Sequence, residues 1–274
     1  MFVEALRHAF IRCPRHLKDL GVLYDLIALQ ARSRRLRQAW HFHIQKTHDA
    51  IASLILPVSQ DTPPTTRRSC AVLGSGLLLE VPIEALSARY TQVFCVDLFH
   101  MPEVHRRCAS LANVALIEAD LTGCLAHLPD LARDHNIDLP VPEPWMPDAD
   151  VIISVNVLSQ LSFRLLHWAS YFDTWRTDRL VTWEHALQTA HVTALVQHPD
   201  AVLITDYQRI VRDPRTGVDQ LCIELLGEGI LPPSVLGRTW EWSFAPAPEE
   251  HRHLDVVHMM CAGRISQSIS SSVI

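Results

Sequence analysis

No stretch of this 274-residue chain reaches the roughly 18 to 20 consecutive apolar residues that span a bilayer, so a membrane-spanning protein is not expected. The opening "MFVEALRHAF" places Glu4 and Arg7 where a secretory signal needs an unbroken apolar run, and the cytoplasm is the expected location. An excess of positive charge is missing as well. Lys and Arg total 24 against 30 Asp and Glu, a net charge of −6, and this field argues against general nucleic-acid binding. There is no C-x-x-C pair, although Cys13, Cys70, Cys95, Cys108, Cys124, Cys222 and Cys261 are scattered along the chain. Several sit in apolar runs where a thiol packs as a small hydrophobe, and they are read as reduced and structural. His251 and His253 would share one face of an extended segment, but no third or fourth ligand is fixed beside them, so no metal is expected.

What is present is a globular composition, 48% hydrophobic and 20% charged, at a length that allows one large domain or one domain with an added subdomain. Residues 17 to 56 carry helical spacing. Leu17, Leu20, Tyr24 and Ile27 form one apolar stripe, and Trp40, Ile44, Thr47, Ile51, Leu54 and Ile55 form another. The arginine-rich "RSRRLR" at 32 to 37 reads as a solvated helix face. Residues 57 to 69, rich in Pro, Ser and Thr without periodicity, read as a linker.

From Cys70 the pattern changes. Short apolar runs at 70–74, 92–97, 113–120, 150–156 and 201–207 alternate with helix-like segments, which predicts βαβ units and a parallel sheet buried on both faces. The segment 127–150 carries five prolines and reads as mostly loop. Residues 179 to 198 set Leu180, Trp183, Leu187, His191, Ala194 and Leu195 on one helical face. After residue 207, "DQLCIELL", "TWEWSF" and "HLDVVHMMCAG" read as extended segments closing the sheet with an antiparallel hairpin.

The stretch "AVLGSGLLLEVP", residues 71 to 82, sets Gly74 and Gly76 just after the first strand. A glycine turn there lets the backbone approach a ligand lying over the carboxyl edge of the sheet, where the strand order reverses. Asp97, about 20 residues on and ending the second strand, is placed to accept hydrogen bonds from ribose hydroxyls. A dinucleotide needs a third glycine so that a helix end can meet its pyrophosphate, and that position is Leu79. A nucleoside without phosphates needs no such opening.

These residues resemble the class I S-adenosylmethionine-dependent methyltransferase family. The likeness rests on "VLGSG", on "VFCVD", on "IEADLTG" and on "DADVIISVNVLSQL", and it runs from about Cys70 to Tyr207. It implies a doubly wound, mostly parallel α/β sheet of about seven strands at residues 61–265, under an N-terminal helical cap at 1–60 and before a tail at 266–274. It implies S-adenosylmethionine as cofactor, held by Gly74, Ser75, Gly76, Asp97 and Leu98 at the first two strands and by Asp120 and Leu121 at the adenine. The family commonly carries an acid two positions before the first glycine; here that residue is Val72, and Glu80 is the nearest substitute. Asn156 is expected at the methyl-transfer pocket. If the acceptor must lose a proton, Asp206, His43 and His253 are the candidate bases. A small or medium-sized acceptor molecule is the expected partner, with a homodimer left open. An NAD-type oxidoreductase and a non-catalytic binding protein of the same fold stand as alternatives.

Overall fold

Strands apolar on both faces stack in parallel at the centre of the computed structural model, which describes residues 7–55, 68–134, 137–172, 175 and 177–265. They are β1 (Ser69–Leu73), β2 (Gln92–Asp97), β3 (Val114–Glu118), β4 (Val151–Val155) and β5 (Ala201–Arg212). Every residue of β4 is buried, as expected of a central strand covered by helices on both sides. β1 lies between β2 and β4, so the strand order reverses around it and opens a crevice at the carboxyl edge.

The sheet is completed by β6 (Asp219–Glu224), β7 (Thr239–Ala245) and β8 (Asp255–Ile265). Its eight strands run β3-β2-β1-β4-β5-β8-β7, with β6 pairing β5 off this path. β8 is antiparallel to both β5 and β7, the expected closing hairpin. β5 is longer than the 201–207 predicted. It pairs with β4 only through Ile204, and its outer half is held by β8 and β6 out to Arg212. Residues 205–212 therefore project beyond the edge where β4 ends.

Helices cover both faces. Those described are α1 (Arg15–Asp19), α2 (Val22–Arg35), α3 (Arg37–Ile55), α4 (Ile83–Arg89), α5 (Pro102–Cys108), α6 (Leu128–Arg133), α7 (Phe163–Ala169) and α8 (Thr177–Gln197). α6 falls within the proline-rich stretch read as mostly loop, with Pro129 early in the helix, where its missing N–H costs nothing. α8 buries Trp183, Leu187, His191 and Leu195 as its spacing requires. The α2 stripe differs from expectation, since Tyr24 is 65% exposed while Val22, Leu23, Ile27 and Gln30 are buried. The cause is the break at Gly21, whose φ of +82° separates α1 from α2 and resets the helical phase.

α3 packs on β7. Trp40, 1% exposed, meets Trp242 edge-on at 5.1 Å and donates its indole N–H to the Phe244 carbonyl at 2.9 Å. Trp40 thus belongs to the same core as β1, β2 and β4. The arginine run ends in ion pairs rather than only in solvent: Arg32 and Arg35 hold Glu249 and Glu250 in the β7–β8 connection. Residues 57–67 of the expected linker lie outside the described residues, and Ser69 already belongs to β1; the expected tail also lies outside them. Cys70, Cys95, Cys108, Cys124 and Cys261 are buried as packing thiols, whereas Cys222 is exposed on β6. Burial pushes the Cys95 and Cys261 thiols up to about 12, which leaves them protonated and unreactive. Among the described residues no helix is long and apolar enough to cross a membrane.

Candidate active site

The carboxyl edge of β1 turns through Gly74 at φ +76°. A Cβ there would stand 2.6 Å from the Val155 carbonyl and 2.7 Å from the Val157 side chain, so only glycine lets β1 and β4 leave the sheet this close together. The N–H groups of Gly74 and Ser75 both donate to the Val96 carbonyl, at 3.0 and 3.1 Å, and fasten the turn to β2.

Asp97 closes β2 facing that turn. Its Oδ2 accepts from the Gly76 N–H at 2.7 Å and its Oδ1 from the Leu98 N–H at 2.8 Å. Burial raises its pKa above the usual carboxylate value, and these N–H donors oppose the shift. The Phe99 N–H is a third backbone donor to the same carboxylate. Ser75 Oγ lies 3.1 Å from His100 Nε2. Burial, with His105 nearby, lowers the His100 pKa to about 4, and its buried Nδ1 has no hydrogen-bond partner among the described residues. A cavity of about 890 Å³ opens beside these strand ends, walled by Phe99, His100, Glu118 and the segment from Arg7 to Pro14.

Asp120 stands past the end of β3 but is turned to local work. Its Oδ1 accepts from the N–H and hydroxyl of Thr122, and its Oδ2 from the Leu125 N–H, so it shapes the loop in which Leu121 is buried.

A second carboxylate lies on the other side of the glycine turn. Glu80 Oε1 accepts from Asn156 Nδ2 at 3.1 Å and lies 3.2 Å from His43 Nε2. Trp240 Nε1 donates to His43 Nδ1 at 3.1 Å, which assigns the ring proton to Nε2 and makes His43 a donor to Glu80. Both nitrogens of His43 are therefore engaged, and the ring is 1% exposed. Its geometry is that of a positioning residue rather than the candidate base. Asn156 holds φ at +49°, a left-handed backbone that costs a non-glycine residue roughly 1–2 kcal/mol. Its buried Oδ1 has no partner among the described residues.

The remaining candidates separate. Asp206 sits beyond Ile204, whose carbonyl accepts the Asn156 N–H at 2.9 Å. A bulge between Asp206 and Gln208 turns the Asp206 carboxylate toward β8. Oδ2 lies 2.8 Å from His258 Nδ1, and Oδ1 accepts from the Ser159 hydroxyl. His253 does not join them. It is exposed in the bends before β8, whose first residue pairs with Arg212 at the far end of β5. His251 is exposed in the same bends, and the described residues contain no cluster of metal-ligating side chains. Sequence reasoning missed His258, Ser159, Trp240 and Trp242. The only signals were a lone polar residue in the apolar "VVHMMC" and the alternating tryptophans of "TWEWSF".

No family model and no curated protein matches this sequence. Comparison with solved structures gives distant matches. The 1,6-didemethyltoxoflavin-N1-methyltransferase of Burkholderia thailandensis, solved with 1,6-didemethyltoxoflavin and S-adenosylhomocysteine, is 12% identical over 92% of this chain and 91% of its own, with a TM-score of 0.40. A DhpI–SAM–HEP complex is 12% identical over 91% and 99%, with a TM-score of 0.38. The glycopeptide N-methyltransferase MtfA is 11% identical over 78% and 72%, with a TM-score of 0.33. By its own strand order this chain has a Rossmann-like, doubly wound α/β fold, with an antiparallel β8 inserted between β5 and β7.

Proposed function

We propose that the protein is an S-adenosylmethionine-dependent methyltransferase acting on a small or medium-sized acceptor. The observation that carries this reading is the pair of carboxylates flanking one glycine turn: Asp97, held by the Gly76 N–H, and Glu80, held by Asn156 and His43. Asp97 suits the ribose diol. Glu80 suits the ammonium of the methionine moiety, and so takes over the role that Val72 cannot fill. The unpartnered Asn156 Oδ1 offers a further acceptor to the same ammonium.

A dinucleotide fits less well. α4 begins only at Ile83, after Leu77–Pro82, so no helix terminus stands at the glycine turn to meet a pyrophosphate. Leu78 fills the space with a fully buried side chain.

When bound, S-adenosylmethionine supplies a methyl group already activated by its sulfonium. The protein then has to align an acceptor and keep water out. Asp97 and Glu80 fix the two ends of the cofactor, and the aromatic wall of β7 excludes solvent.

Calorimetric titration with S-adenosylmethionine, S-adenosylhomocysteine and NAD tests the reading. Saturable binding of the first two and none of NAD is expected; binding of NAD alone overturns it.

A further inference from the structure

β6 differs from the other described strands in that all six of its residues, Asp219–Glu224, are exposed, on both faces of the sheet. It pairs the outer half of β5, on the side where β4 has ended against Ile204, and among the described residues no strand pairs its outer edge. A register shift beside Val211 leaves the stretch from Leu221 onward regular. There Leu221 and Ile223, 51% and 41% exposed, lie opposite Val211 and Arg209 on one face, with the exposed Cys222 on the other. Sheets that stay monomeric blunt an open edge with lysine or proline, and "DQLCIE" contains neither.

The Leu225 N–H donates to the Tyr207 carbonyl at 2.9 Å. Paired groups alternate along an antiparallel ladder, so Ile223 and Leu221 also turn their N–H and C=O toward β5, while those of Cys222 and Glu224 point outward. The outer edge thus presents backbone donors and acceptors beside apolar side chains, which is a template for another strand. Symmetry and charge decide which strand fits. Two copies joined edge to edge by a two-fold axis keep like faces together, so each pairing axis sets odd residues against odd and even against even. An axis at Leu221 would oppose Ile223 to the partner's Asp219, an apolar side chain to a carboxylate. An axis at Ile223 would bring the two Glu224 carboxylates within about 7 Å along the strands, inside the screening length of roughly 8 Å. An axis at Cys222 avoids both conflicts. It opposes Leu221 to the partner's Ile223 and Ile223 to the partner's Leu221, and it sets the two Glu224 side chains about 13 Å apart. Asp219 is already balanced by Arg212, at 2.6 Å.

We propose that the outer edge of β6 is an interface for a second copy of this chain, the two β6 strands pairing antiparallel about a two-fold axis at Cys222 so that one sheet continues through both copies. The four apolar side chains then cover one another on one face, and the outward N–H and C=O of Cys222 bond to those of the partner's Cys222. This goes beyond the methyltransferase reading and does not depend on it. One strand pair is small beside the roughly 1,200–2,000 Å² of a standard interface, so the expected association is in the micromolar range. The joined edge also lies close to the candidate site, because β6 pairs the part of β5 just past Ile204, whose carbonyl accepts the Asn156 N–H.

Sedimentation velocity of the full-length protein in reducing buffer, over about 1–200 µM, should show a dimer that grows with concentration. Leu221→Lys and, separately, Ile223→Lys should each weaken this association by about tenfold, since each sets an edge lysine against an apolar residue of the partner. A second measurement needs no edge variant to fold. Copper-catalysed air oxidation of the wild-type protein at the same concentrations should link two chains through Cys222, because facing Cα atoms about 5.5 Å apart are within reach of a disulfide. Cys222→Ser should abolish that linked dimer on a non-reducing gel. A monomer across the whole range, a dimer that both lysine variants leave intact, or a dimer that does not cross-link through Cys222 overturns the proposal.

Discussion

His43 and Glu80, 37 positions apart in sequence, meet with Nε2 3.2 Å from Oε1. The contact joins a helix that precedes the sheet to the residue that follows the glycine turn. It is fixed from behind by the Trp240 indole on Nδ1.

Glu80→Gln should weaken S-adenosylmethionine binding by about 1.5–3 kcal/mol, the range for a hydrogen bond to a charged group. Adenosine, which lacks the amino-acid moiety, should bind the variant as it binds the wild type. Equal losses for both ligands in calorimetry would place Glu80 away from the ammonium.

Asp97→Ala should weaken both S-adenosylmethionine and adenosine, again by about 1.5–3 kcal/mol. Because burial raises the Asp97 pKa, the charged carboxylate opposes folding of the ligand-free protein. The favourable contribution of its protonated form is complete below the unfolded pKa and is lost as pH rises through the higher folded one. The melting temperature of the free variant at neutral pH should therefore fall little.

Gly74→Ala and Gly76→Ala should differ in stability. Both positions have positive φ, but a Cβ at Gly74 meets the Val155 carbonyl at 2.6 Å, whereas at Gly76 nothing lies nearer than 3.9 Å. The left-handed backbone alone costs roughly 1–2 kcal/mol, so Gly76→Ala should unfold in denaturant with a loss of that order. Gly74→Ala should lose clearly more.

Trp40→Ala should cost about 3–5 kcal/mol of stability, as expected for emptying a large buried side chain. His43→Ala should cost less, about 1–3 kcal/mol from the Trp240 N–H left unpaired. Ligand titration should reverse this order, with affinity for S-adenosylmethionine falling in His43→Ala more than in a folded Trp40→Ala.

Stability should decline on the acid side. Burial lowers the pKa values of His100 and His191 to about 4, against about 6.5 in an unfolded chain. Over that interval the unfolded state binds more protons, so stability present above the upper value is lost as pH falls toward the lower. His100→Gln, which can still bond Ser75, should flatten the slope in a series of thermal melts.

The parallel core was legible because its signals are local. Strands such as "VIISV" are apolar at every position, and each ends in a residue whose chemistry differs from the run before it: Gly74, Asp97 and Asn156 mark three strand ends without any knowledge of pairing. The α2 stripe was misjudged at Tyr24 because one left-handed glycine resets the phase of a helix, and periodicity carries no record of that. His253 is a candidate from the sequence by its place near the last strand, and His258 has no local signal beyond being a lone polar residue in an apolar run. Only the register of β8 against β5 and β7 brings His258 beside Asp206, Arg209 and Trp242 while leaving His253 in solvent.

Sequence alone determined the order of elements, the glycine turn and the acid that faces it, since these follow from short-range hydrophobic pattern and backbone chemistry. Tertiary structure decided which side chains share a site. Glu80, His43 and Asn156 come from three separate segments, and Asp206 and His258 from two strands joined by a bulge. Those meetings depend on strand register and on how α3 packs across β7, and they are long-range pairings that no local pattern in the chain encodes.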